Sequence, residues 1–88
     1  MALQVSIVSR QAELFRGEAT HVAIPTVTGS LGILPGRQPL LAAMQAGTVD
    51  LTLVGGGTRS IDVDEGFASV DEDEVTIVVD RQIGDQSE

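Results

Sequence analysis

The sequence predicts an all-β protein, an antiparallel β-sandwich of two packed sheets with about eight to ten short strands. Three observations predict it. Apolar and polar residues alternate with period two in several places: Leu3, Val5 and Ile7 alternate with Gln4 and Ser6, and Val49, Leu51 and Leu53 with Asp50 and Thr52. Glycine, proline or acidic clusters interrupt such runs every ~8–12 residues. The 88-residue chain is 42% apolar and 20% charged, the balance of a folded domain and not of a disordered one.

Taken in order, Leu3–Ile7 reads as a half-buried strand, and the polar residues Arg10–Glu13 connect it to Leu14 and Phe15. Gly17 then marks a turn. Thr20–Ile24 alternates again, with Val22 and Ile24 on one face, and Pro25 ends the ladder pairing because it has no N–H to donate. Leu40–Ala46 holds helix-favouring residues, but it is short and stops at Gly47, so a strand or an irregular crossover is expected. Gly55, Gly56 and Gly57 close a hairpin from Thr48–Val54 to Arg59–Val63, with Ile61 and Val63 facing the same core. Gly66–Val70, the acidic turn Asp71–Glu74, and Val75–Val79 follow. Phe15 and Phe67 are expected in the core, where each ring would bury ~150–250 Å². Residues 1–80 make one β-sandwich domain, and residues 81–88 a polar C-terminal tail.

The composition restricts function. Thirteen acidic residues face five arginines and no lysine, a formal charge of −8. Such a surface repels phosphate backbones and anionic lipid headgroups, which argues against nucleic acid and against attachment to bare membrane. The apolar run Leu40–Met44 is far short of the ~20 residues of a spanning helix, so no direct membrane insertion is expected. Nothing after Met1 reads as a secretion signal, and a cytoplasmic chain is expected. Without cysteine there is no disulfide partner and no thiolate metal site.

One segment stands apart. Residues 29–39 carry Gly29, Gly32, Gly36, Pro35 and Pro39, yet Leu31, Ile33 and Leu34 sit among them and Leu40 and Leu41 follow. A flexible linker would not hold so many large apolar side chains. Two readings fit: an ordered, turning segment whose apolar residues anchor it while its backbone shapes a binding surface, or a sheet-to-sheet crossover that uses glycine to bend. Arg37 stands at its apex, with a fork of donors suited to a partner's carboxylate or carbonyls.

The segment Gly29-x-Leu31-Gly32-Ile33-Leu34-Pro35-Gly36-x-x-Pro39-Leu40-Leu41 resembles the signature of the epsilon subunit of rotary F-type ATP synthases. Leu14-Phe15-x-Gly17-Glu18-Ala19 and Val22-x-Ile24-Pro25 upstream, and Gly66-Phe67-x-x-Val70 and Val75-Thr76-Ile77-Val78-x-Asp80 downstream, keep the family's order. The resemblance implies the N-terminal β-sandwich of a non-catalytic central-stalk (rotor) subunit. Such a subunit links gamma to the c-ring, couples proton transport to ATP synthesis, and is peripheral to the cytoplasmic face of the cell membrane. By resemblance, the c-ring-facing loop falls on Gly29, Ser30, Leu31 and Gly32, and the gamma-facing side on Ser9, Arg37, Ala42 and Asp64. Many family members carry histidine where Arg37 stands and a second glycine where Glu65 stands. The family usually continues into two C-terminal helices; the short tail predicts neither inhibition of hydrolysis nor ATP binding by that route.

No catalytic, cofactor or metal site is predicted. The triple glycine lacks the lysine and following helix of a phosphate loop. Asp71–Glu74 lacks the spaced ligands of a calcium loop and reads as a solvated turn. His21 is the only histidine, lies mid-strand and has no nucleophile elbow nearby. The rival readings are a stand-alone β-sandwich adaptor for an unrelated protein and a small hydrolase built on dispersed carboxylates.

Overall fold

A computed structural model of the chain describes residues 2–80 and 82–87. The described residues form nine strands: β1 Leu3–Val8, β2 Glu13–Thr26, β3 Gly29–Ile33, β4 Leu40–Met44, β5 Gly47–Leu53, β6 Thr58–Val63, β7 Gly66–Asp71, β8 Glu74–Val79 and β9 Gln82–Ser87. The hydrogen-bonded order is β4-β7-β8-β1-β2-β5-β6-β9, with β3 beside β2. The 14-residue β2 belongs to both layers of the sandwich. Its first half pairs with β1, and after a register shift between Ala19 and His21 its second half pairs with β5 and β3.

The period-two alternation is what fills the space between the layers. Leu3, Val5, Ile7, Val22, Ile24, Ile33, Val49, Leu51, Ile61, Val63, Val70, Val75, Ile77 and Val79 are buried, and among the described residues no polar or charged side chain is. At ~1.5–3 kcal/mol for each buried aliphatic side chain, this interior is the main stabilising term. The segment expected as strand or crossover is the strand β4.

Four expectations need correction. The sandwich is not wholly antiparallel: β1 and β8 run parallel, Val5 beside Val75 and Ile7 beside Ile77, because β2–β7 intervene and bring the chain back in the same direction. Gly17 marks no turn. It lies inside β2 opposite Val5, where a Cβ would come 3.2 Å from the Phe15 ring, so its role there is to leave room for that ring. Pro25 does not end β2, which continues to Thr26. Pairing with β5 stops at Ala23, Pro25 lies opposite Ser30 of β3, and the Pro25 carbonyl accepts the Gln45 N–H at 3.1 Å. Phe67 is not core. Ala68 and Val70 occupy the inward positions of β7, so alternation turns Phe67 outward, 58% exposed.

The ladder also continues past residue 80. Gln82–Ser87, within the segment read as a polar tail, pairs antiparallel with β6. Arg81 and Glu88 of that tail lie outside the described residues. Two-residue connectors therefore run side by side between the layers. Gln45–Ala46 joins β4 to β5 and Asp64–Glu65 joins β6 to β7, with Met44 opposite Gly66 in one layer and Gly47 opposite Val63 in the other.

Candidate docking surfaces

The glycine- and proline-rich segment is ordered, and it divides into two parts. Its first part is β3, paired with β2 in a hairpin that overhangs β5. Thr26 lies opposite Gly29, the Thr26 hydroxyl donates to the Gly29 carbonyl at 2.7 Å, and Val27 projects from the tip, 74% exposed. Of the residues aligned with a c-ring-facing loop, Gly29, Ser30 and Gly32 are exposed, while Leu31 packs against the core opposite Ile24. Leu31 thus anchors what the other three display. The hairpin is braced near its tip by the start of β5: a Cβ on Gly47 would come 2.9 Å from the Pro25 ring. Val27, which the sequence reading passed over, is the most exposed apolar side chain of the hairpin. Its position between two threonines gave no pattern to single it out.

The second part, residues 34–39, crosses from β3 to β4. Gly36 takes a φ of +85°, a conformation open to glycine, and its N–H donates to the Asp73 carboxylate at 2.7 Å. Asp73 belongs to the acidic turn between β7 and β8, where Glu72 and Asp73 both have positive φ in a two-residue hairpin loop. Its carbonyl also accepts the Gln4 N–H at 2.8 Å. The acidic turn is therefore a clamp as well as a solvated loop: Asp73 ties the crossover and β1 to one hairpin. Replacing Asp73 with Ala is expected to lower stability by about 1–2 kcal/mol and loosen residues 34–39, whereas Asp73→Asn retains most of both. Thermal denaturation and amide exchange at Gly36 measure this.

Of the expected apolar anchors, Ile33 is buried and Leu31 and Leu40 pack against the core, but Leu34 and Leu41 face solvent. The four residues aligned with a gamma-facing side do not form one cluster. Arg37 is exposed in the crossover, beside the Asp73 end of the β4-β7-β8-β1 layer. Ser9 and Asp64 lie at the opposite end, about 15–20 Å away by strand rise. There the Asp80 N–H donates to the Glu65 carbonyl, and Arg10 reaches Asp80 at 3.2 Å. Ala42 lies between them on β4 with its side chain against the core. Ser9 follows β1, across β7 and β8 from the edge strand β4, so a partner touching all four would have to span the layer.

Among the described residues no group of three or more His, Cys, Asp or Glu side chains is placed to hold a metal ion. No helix there is long and apolar enough to cross a membrane. His21 lies across the bare backbone of Gly32, 3.1 Å from where a Cβ would stand.

Residues 2–84 match the family described as ATP synthase, delta/epsilon chain, β-sandwich domain. The chain belongs to that family. An ATP synthase epsilon chain of Bordetella petrii is 41% identical over 81 residues, 92% of this chain and 57% of the relative. One of Micrococcus luteus is 40% identical over 84 residues, 94% of this chain and 92% of the relative. The chain thus spans little more than half of the first of these relatives and most of the second. Two solved structures share the fold of this delta/epsilon-chain domain. The mitochondrial ATP synthase of Euglena gracilis matches with a TM-score of 0.87 at 18% identity, over 94% of this chain and 53% of that one. The central stalk and c-ring of the Tetrahymena thermophila mitochondrial ATP synthase match with a TM-score of 0.77 at 17% identity, over 96% and 67%.

Proposed function

We propose that this domain is a non-catalytic component of the central stalk of an F-type ATP synthase, joining the gamma subunit to the c-ring and so coupling proton transport to ATP synthesis. The observation that carries the reading is the 41% identity to an epsilon chain over 81 residues, 92% of this chain. In this reading the β2–β3 tip, with Gly29, Ser30, Gly32 and Val27, meets the ring. The β4-β7-β8-β1 layer, with Arg37 at one end and Ser9 and Asp64 at the other, meets gamma. The protein works at the cytoplasmic face of the membrane as a peripheral part of the complex.

The physical requirement on such a part is stiffness. A radius of gyration of 11.5 Å is close to the ~12 Å of a fully compact chain of this length. An interior of interlocked aliphatic side chains resists compression. The braced hairpin and the Asp73 clamp fix both candidate surfaces to that interior. A body of this kind passes torque between moving neighbours without chemistry of its own.

Affinity capture of the tagged protein from native membranes tests the reading. Gamma and c subunits are expected to co-purify in fixed proportion, and recovery of neither refutes it. An adaptor for an unrelated protein would bring down that protein in their place.

A further inference from the structure

The outer faces of the two layers differ. On the β5–β6 side polar groups satisfy one another, Thr48 donating to Asp62 and Ser60 to Asp50, each at 2.6 Å. On the other layer Ala43, Phe67, Val78 and Val8 lie side by side across β4, β7, β8 and β1, with Leu41 one step along β4. Phe67 and Leu41 are 58% and 73% exposed. This apolar row lies between Arg37 at one end of the layer and Ser9 and Asp64 at the other.

At the latter end the row opens into a notch of about 370 Å³ lined by Ala43, Met44, Glu65, Gly66, Phe67 and Asp80. An accessible ring, two carboxylates and an aliphatic floor suit a cation on an apolar stem. The ring face attracts the charge, the carboxylates accept its N–H groups, and the floor covers the methylenes. The protein already makes a contact of this type, with the Arg59 guanidinium 5.4 Å from the centre of the Phe15 ring. Asp80 is engaged by Arg10, but Arg10 is largely and Asp80 about half exposed, and such a solvated pair is weak. It presents little barrier to a second guanidinium.

We propose that this notch seats an arginine side chain of the shaft subunit, with Phe67 as the anchor of the contact. The inference rests on the reading that the domain docks on gamma. Charge supports a basic occupant: the chain carries −8, and the notch concentrates two of its acids beside an apolar surface. Arginine suits it better than lysine, because its planar fork reaches two carboxylates while stacking on the ring.

Calorimetric titration of the full chain with the isolated gamma subunit tests this. Phe67→Ala is expected to weaken binding about tenfold or more, the effect of losing an anchor. Phe67→Leu keeps the apolar bulk but removes the ring face, and is expected to lose nearly as much. Glu65→Gln is expected to cost several-fold and to flatten the dependence of affinity on salt, since one screened charge pair is gone. Thermal melts are expected to be unchanged, because both side chains are exposed. Wild-type affinity in Phe67→Leu would overturn the cation and leave an apolar contact. Wild-type affinity in all three variants would overturn the notch while leaving gamma docking intact. Failure of the wild-type protein to bind gamma would remove the functional reading and this inference together.

Discussion

Gly66→Ala is expected to unfold the domain or bring it to the edge of unfolding. Gly66 lies in β7 between Met44 and Val79, and a Cβ there would come 2.0 Å from the Val78 carbonyl oxygen and 2.8 Å from the Val79 Cα. All the obstructing atoms are backbone, so no rotamer change relieves the overlap and β7 must move away from β8. That movement breaks the pairing at Gly66 and strains the Asp80–Glu65 hydrogen bond beside it. Overpacking with no escape costs about 3 kcal/mol or more, against a total of roughly 4–13 kcal/mol for a domain of this size. Gly55→Ala makes the contrast. Its Cβ would meet open space, and only the positive φ of +99° opposes it, at a cost of about 1–2 kcal/mol. Urea denaturation of the two variants separates the effects, and a loss below about 1 kcal/mol for Gly66→Ala would deny the close approach.

Ile77→Ala is expected to cost about 2–5 kcal/mol, and Val78→Ala, its neighbour in sequence, less than about 1 kcal/mol. Ile77 is fully buried between Ala68 on β7 and Ile7 on β1. Truncation there leaves a void in a wall of β-branched side chains that have little freedom to close it. Val78 points outward, 46% exposed, and its removal trims surface. Parallel denaturant titrations compare them, and equal losses would contradict the assignment of the two faces of β8.

The strands were legible because one face of each is buried: Val5 and Ile7, Val49 and Leu51, Ile61 and Val63 announce themselves by parity alone. Parity also held the right answer for Phe67, since Ala68 and Val70 fix the inward phase of β7. Giving an aromatic residue type precedence over phase put it on the wrong face. Gly17 and Pro25 misled for a related reason. A glycine that makes space for Phe15, or a proline beside a short edge strand, looks in sequence like one that ends a strand. The parallel meeting of β1 with β8 and the reach of Asp73 to Gly36, 37 residues away, leave no local trace at all. Of the candidate surfaces, the segment at residues 29–39 stood out by composition. The notch at Phe67 did not, because it exists only where β4, β7 and the connectors at Glu65 and Asp80 converge.

The parallel seam between β1 and β8 sets the timetable of folding. Until Val79 has been made, one layer exists as two separate pieces, β1 with the start of β2 and β4 with β7, and neither covers the other's apolar face. Joining them closes a loop of nearly the whole domain, a step whose entropy makes assembly slow and nearly all-or-none. A nascent chain on the ribosome therefore shows chaperones an open aliphatic surface until β8 has emerged to close the layer.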